Sequence, residues 1–157
     1  MSEKITRHAY RINGLGKISL EIPQLDFADV SHISETVMRP LVKMSADALA
    51  ARIKVNAPKW TGDLSRGIIA SQAPERSSDP GKIVYDIYFD AAMNDKFVKL
   101  TADGKRYYYP ASQEYGFKKI NGGRVPGRYY MRDASVDYAA AHRDCIADGV
   151  DNVLEEL

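Results

Sequence analysis

Acid–base, nucleophilic or metal chemistry in this chain would have to come from three histidines, one cysteine and dispersed carboxylates. His8, His32 and His142 are far apart, and none sits in an H-E-x-x-H pattern, the spacing that puts two ligands on one helical face, so no zinc site is expected. His142 beside Asp144 and Asp148 could form an imidazole and carboxylate pair, but on so acidic a helix the favoured reading is a solvated polar face. Cys145 has no electropositive sequence neighbourhood to hold it as a thiolate and reads as a small hydrophobe on a helix. Gly14-Leu15-Gly16 precedes a strand, whereas a dinucleotide fingerprint follows one and opens a helix, so it reads as a turn. Neither a G-x-x-x-x-G-K-[ST] phosphate loop nor a G-x-S-x-G nucleophile elbow occurs. These residues point away from an enzyme and imply no cofactor and no metal.

The placement of charge says more than its sum. The 157 residues carry a formal net charge of only +1, whereas a dedicated nucleic-acid binder concentrates positive charge to displace counterions. Between Thr101 and Arg132, however, Lys105, Arg106, Lys118, Lys119, Arg124, Arg128 and Arg132 oppose only Asp103 and Glu114, a local balance of +5. From Asp133 to Leu157, Asp133, Asp137, Asp144, Asp148, Asp151, Glu155 and Glu156 oppose only Arg143, a balance of −6. Tyr107, Tyr108, Tyr109, Tyr115, Tyr129, Tyr130 and Tyr138 crowd into the basic segment and its border. Aromatics interleaved with bases can stack single-stranded nucleic acid over a charged track. Tyrosine is also favoured at protein interfaces and core edges, and the near-neutral chain favours that reading.

The elements that must position these residues follow from periodicity. Ile18, Leu20 and Ile22 alternate with polar residues before Pro23, predicting a strand from Lys17 to Ile22. Ile33, Val37, Leu41, Met44, Ala48, Ala51 and Val55 recur at three- and four-residue spacing, predicting a long helix from about Asp29 to Asn56 that either kinks at Pro40 or is preceded by a separate turn ending near Arg39, with Pro58 blocking its continuation. Gly67 to Ala73 and Lys82 to Asp90 read as an antiparallel pair, with Ile83, Tyr85, Ile87 and Phe89 inward and Val84, Asp86 and Tyr88 solvated or covered in an assembly. Ala91 to Gly104 fits helix or strand. A short helix is expected from Pro110 to Gly116, a loop through Phe117 to Arg128, and a closing helix from Asp133 to Glu156 with Ala139, Ile146, Val150, Val153 and Leu157 near one stripe. The sum is an α+β fold: a small, mostly antiparallel sheet packed with two helices. One domain over residues 1–157 is expected, with 1–28 an N-terminal extension holding a short strand and 29–157 the core.

An apolar fraction of 45% and a charged fraction of 27% are those of an ordinary globular chain. No apolar run approaches the roughly 18 residues of a membrane span, and Ser2, Glu3 and Lys4 lack the apolar core of a secretory signal, so a soluble, unexported chain without membrane contact is expected. A single cysteine excludes an intrachain disulfide and suits a reducing cytoplasm.

Three local patterns, in order, resemble one family. Asn56-Ala57-Pro58-Lys59-Trp60-Thr61-Gly62-Asp63-Leu64-Ser65-Arg66-Gly67-Ile68 is similar to the "A-P-x-x-T-G-x-L-x-x-S-I" passage of phage tail-completion and head-tail joining proteins, departing at Gly67, where the family usually has a small hydroxyl residue. Tyr109-Pro110-Ala111-Ser112-Gln113-Glu114-Tyr115-Gly116 resembles its "Y-A-x-x-x-E-x-G" element, and Val125-Pro126-Gly127-Arg128-Tyr129-Tyr130-Met131-Arg132-Asp133-Ala134 its "P-x-x-F-x-R-x-A" entry into a closing helix, with tyrosine for phenylalanine. The likeness runs from about Val37 to Leu157. It makes Pro58, Thr61, Gly62, Leu64, Glu114, Gly116 and Pro126 motif residues. Pro58 would end the helix, Thr61 or Asp63 would cap a new turn, and Glu114 would cap or pair with a loop residue such as Arg128 or Arg132.

The resemblance implies a virion component of a tailed phage or prophage at the neck or upper tail, assembled in the host cytoplasm and present in several copies. Its partners would be other neck and tail proteins and further copies of itself in a ring. A tail-terminator ring subunit is the near alternative; a nucleic-acid-binding module using residues 105–132 is the distant one. Lys118, Lys119, Arg124, Arg128 and Arg132 are the candidate interface, facing either the neighbour's Asp137, Asp144, Asp148 and Asp151 or, transiently, genomic DNA.

Overall fold

Glu35–Asn56 forms one continuous helix, α1, in the computed structural model, which describes residues 11–13, 17–21, 35–77 and 82–155. Pro40 lies inside it, removing one intrahelical hydrogen bond without ending the helix. The inward stripe is Met38, Val42, Ser45, Ala46, Leu49 and Ile53, all buried. This corrects the expected stripe: Ala48 and Ala51 face outward, with Met44 52% and Val55 60% exposed. Both stripes repeat every three or four residues, so α1 is apolar on two sides and periodicity alone cannot tell which side is covered.

Four strands make the main sheet: β1 (Arg11–Asn13), β2 (Lys17–Glu21), β3 (Ile68–Gln72) and β4 (Val84–Phe89), in the order β1-β2-β4-β3 and antiparallel throughout. The expected strand at Lys17 and the expected pair on either side of residue 78 both form, with Ile68 opposite Phe89 and Ile18 opposite Ile87. Tyr85, Ile87 and Phe89 face the core as read. The other face of β4 is not solvated: Val84 and Asp86 are buried. The connection folds back over it, where Arg76 of a 3-10 turn (Pro74–Arg76) pairs with the Asp86 carboxylate and Ser77 Oγ accepts the Val84 N–H at 3.0 Å.

The final helix, α5 (Tyr130–Glu155), begins three residues earlier than expected. Leu41 lies over Gly149, Ser45 bonds His142 and Arg52 approaches Asp137, so α5 runs antiparallel along α1. His142 is therefore not on a solvated face. It is 2% exposed, with its Nδ1 hydrogen-bonded to the buried Ser45 hydroxyl. Met131, Ala134 and Ile146 join the core beside it, while Cys145 is half-buried.

Between β4 and α5 lie a 3-10 turn (Ala91–Met93), α3 (Asn94–Phe97), β5 (Val98–Leu100), β6 (Arg106–Tyr108), α4 (Tyr109–Tyr115), β7 (Gly116–Lys118) and β8 (Arg124–Pro126). The ambiguous Ala91 to Gly104 stretch is thus both helix and strand in succession. The segment expected to be a loop after Gly116 is a two-stranded hairpin, its strands too short to show an alternation. α2 (Asp63–Gly67) links α1 to β3. The helix start from Asp29 with Ile33, the Gly14 to Gly16 turn, His8, His32, the connection at 78–81, Glu156 and Leu157 lie outside the described residues. The architecture is α+β, and among the described residues no helix is long and apolar enough to cross a membrane.

Candidate interface: two basic hairpins and an acidic helix

The first motif builds the joint between α1 and the sheet. Pro58 follows the end of α1, Gly62 adopts a left-handed conformation, and Leu64 of α2 is buried against the core. Thr61 shapes the turn: its hydroxyl accepts the Asp63 N–H at 3.3 Å and donates to the Asp63 carboxylate at 2.8 Å. That bond, and then Arg66, hold the half-buried Asp63 below the usual carboxylate range. The departure at Gly67 has a packing reason, since a Cβ there would lie 2.3 Å from the Phe97 ring. Trp60, in the same connection, is 90% exposed.

Phe97 anchors the first hairpin. It meets Phe89 and Tyr108 edge-on, with ring centroids 5.3 and 6.1 Å away, which ties the base of the β5 and β6 pair to the sheet. At the tip, Thr101 Oγ1 accepts the Lys105 N–H at 3.0 Å and also donates to Asp103. Lys99, Leu100, Arg106 and Tyr107 are left exposed on this arm.

Glu114 anchors the second hairpin and the start of α5 together. Its side chain is fully buried, with Oε2 accepting the Met131 N–H at 2.9 Å and Oε1 the Arg132 N–H at 3.0 Å. These amides belong to the first turn of α5 and have no partner within the helix, so a carboxylate from another element caps it. Burial pushes the Glu114 carboxyl above its ordinary value, and the two amide donors offset part of that rise. The expected pairing with Arg128 or Arg132 is thereby resolved as a backbone cap. The Arg132 guanidinium instead lies 4.0 Å above the Tyr129 ring and pairs with Asp133 at 2.9 Å.

Close backbone contact completes the joint. The Arg128 and Tyr129 amides donate to the Gln113 and Glu114 carbonyls at 2.8 and 3.1 Å. A Cβ on Gly127 would lie 2.2 Å from the Glu114 oxygen, and one on Gly116, whose φ is +76°, 2.2 Å from the Val125 oxygen. Only two glycines allow so close an approach. Tyr129 takes a φ of 48°, a strained value for a tyrosine, at the point where the chain turns into α5.

From this base β7 and β8 project with Phe117, Lys118, Lys119, Ile120 and Arg124 exposed, Ile120 at 80%. Arg124 donates to the Tyr115 carbonyl at 3.3 Å. Among the described residues, Lys118, Lys119, Arg124 and Arg128 form no ion pair. α4, two turns long, separates the two hairpin bases by about 10 Å. On α5, Asp133, Asp137, Asp144, Asp148 and Asp151 are spaced by four, seven, four and three residues, forming one exposed stripe opposite the core. Asp137 is partly engaged, 3.8 Å from Arg52. The structure thus gathers the candidate bases, except Arg132, onto one hairpin and its flank, and the candidate acids onto one helix face. Sequence reading missed Phe117, Ile120 and Gly127, which lie in the segment taken for a loop, and Trp60, which only its exposure reveals.

Among the described residues no group of histidine, cysteine and carboxylate side chains is arranged to hold a metal ion. Comparison of the chain with protein-family models, with curated proteins and with solved structures returns no match.

Proposed function

We propose that this chain is a structural subunit of a tailed-phage or prophage particle, joining head to tail at the neck or completing the upper tail, and that it works by docking. The observation that carries the reading is the polarity of its exterior: a basic hairpin with uncovered Phe117 and Ile120, and an α5 whose outer stripe is acidic. In a ring each subunit offers one surface to a different surface of its neighbour, and opposite charges there set register. The Lys118, Lys119 and Arg124 surface of one subunit faces Asp144, Asp148 and Asp151 of the next. The three patterns that resemble those of head-tail joining proteins support this particular assembly, because two of them, around Glu114 and from Val125 to Ala134, fall at the joint that orients these surfaces. A tail-terminator ring would use the same contact.

A second reading rests on Tyr107 and Phe117, exposed on arms that also carry bases, an arrangement suited to stacking and phosphate contact. Changing Lys118, Lys119 and Arg124 to glutamate separates the two. Loss of the oligomer in low-salt buffer supports docking. An intact oligomer that no longer shifts single-stranded DNA in a gel assigns the hairpin to nucleic acid. A variant unchanged in both properties sinks both readings. The phage role itself predicts co-purification with portal or tail proteins encoded beside this chain, and a chain that associates with none of them is not a neck component.

A further inference from the structure

We infer that the open groove between α1 and α5 receives Trp60 of a second copy of this chain. The groove is shallow and open to solvent, offers about 420 Å³, and is lined by Ala48, Ala51, Arg52, Val55, Asp137 and Tyr138. It exists because the outward stripe of α1 is apolar yet small in the middle: two alanines leave a hollow that longer side chains on either side do not fill. Trp60 is the largest apolar side chain in the protein, and at 90% exposed it does not occupy its own groove. Its connection is well held. The buried Ala57 donates its N–H to Ile53 at 2.8 Å, and Thr61, Asp63 and Arg66 brace the far side.

An exposed tryptophan and an unfilled apolar hollow on the same chain make the surface complementary to itself, and tryptophan is among the residues most enriched at the energetic centres of protein interfaces. Charge neither drives nor opposes the contact, since Arg52 borders the groove 3.8 Å from Asp137 and balances it, so burial of the indole carries the pairing. Val55 lines the groove and Trp60 follows five residues later, which sets knob and hole at the same end of α1. Two copies related by a two-fold axis can then exchange tryptophans. This contact touches the acidic stripe of α5 only at Asp137 and uses neither hairpin, so it stands without the hairpin contact.

Trp60 is the only tryptophan, so its fluorescence reports insertion directly. Across a dilution series in high-salt buffer, which screens the hairpin contact, the emission should move to the blue as the mass rises from one chain to two. Ala51→Arg, on an exposed helical position that arginine suits, fills the hollow and should weaken pairing at least tenfold, with red emission and an unchanged circular dichroism spectrum. The hairpin variant K118E/K119E/R124E should keep the blue shift, so failure of the hairpin reading leaves this one intact. Emission that is red at every concentration, blue at the mass of a single chain, or blue in A51R overturns the inference.

Discussion

Glu114 sits where two patterns of the sequence meet, carrying a buried carboxylate to the first amides of α5 while its own carbonyl receives the Tyr129 N–H. Removing the side chain as Glu114→Ala leaves two buried donors without an acceptor and should cost about 2 to 3 kcal/mol, seen as a Tm lower by roughly 4 to 10 °C. The pH dependence has a definite sign. Burial raises the folded carboxyl above its ordinary value of about 4.3, so the folded chain holds this proton more tightly than the unfolded one. The resulting stability is fully present below that value and is lost as pH rises through the raised one. Urea melts should therefore show the wild type losing stability relative to Glu114→Gln over that window, and a widening wild-type advantage would contradict the account. Gly127→Ala forces a Cβ against the Glu114 carbonyl and should cost about 2 to 4 kcal/mol in the same melts. Glu114 and Gly116 stood out in the sequence. Arg132 was among the partners expected of Glu114, but Met131 and the use of backbone amides were not legible, because those amides lie 17 and 18 residues away, beyond any local capping pattern.

At the scale of elements, α1 and α5 are held in register by Ser45 and His142, a polar pair inside an otherwise apolar contact. Ser45→Ala alone deprives the buried imidazole of this bond and should destabilise by about 1 to 3 kcal/mol, whereas Ser45→Ala with His142→Leu should cost less than the sum of the two single changes. Additive losses in the double-mutant cycle would show that the two side chains are not coupled. Neither residue was legible as core from the sequence, because serine and histidine interrupt the apolar stripes that periodicity follows. The same limit explains why α1 was assigned the wrong face: Met44, Ala48, Ala51 and Val55 repeat as regularly as Val42, Ala46, Leu49 and Ile53. β4 was readable because it is long enough to alternate, and β3 because a turn-rich connection separates it from β4. β7 and β8 have three residues each, and their pairing is set by Gly116 and Gly127 together with Glu114.

For the whole molecule, the α+β class followed from two long helical patterns around two strand patterns, while the relation between charged surfaces needed three dimensions. The sequence shows a switch of sign at Arg132. The fold turns it into two separate surfaces, a hairpin arm and the solvent stripe of α5, so that one subunit can meet another through unlike charges. Salt should weaken such a contact, since exposed charges are screened within about 10 Å at 0.1 M ionic strength. The central claim is tested most directly by exchanging the charges and weighing the assembly by sedimentation in low-salt buffer. K118E/K119E/R124E and D144K/D148K/D151K should each reduce the assembly to no more than two chains, and the protein carrying both sets should recover the larger oligomer. A wild type no larger than two chains, or a combined variant no better than either set alone, would contradict the account.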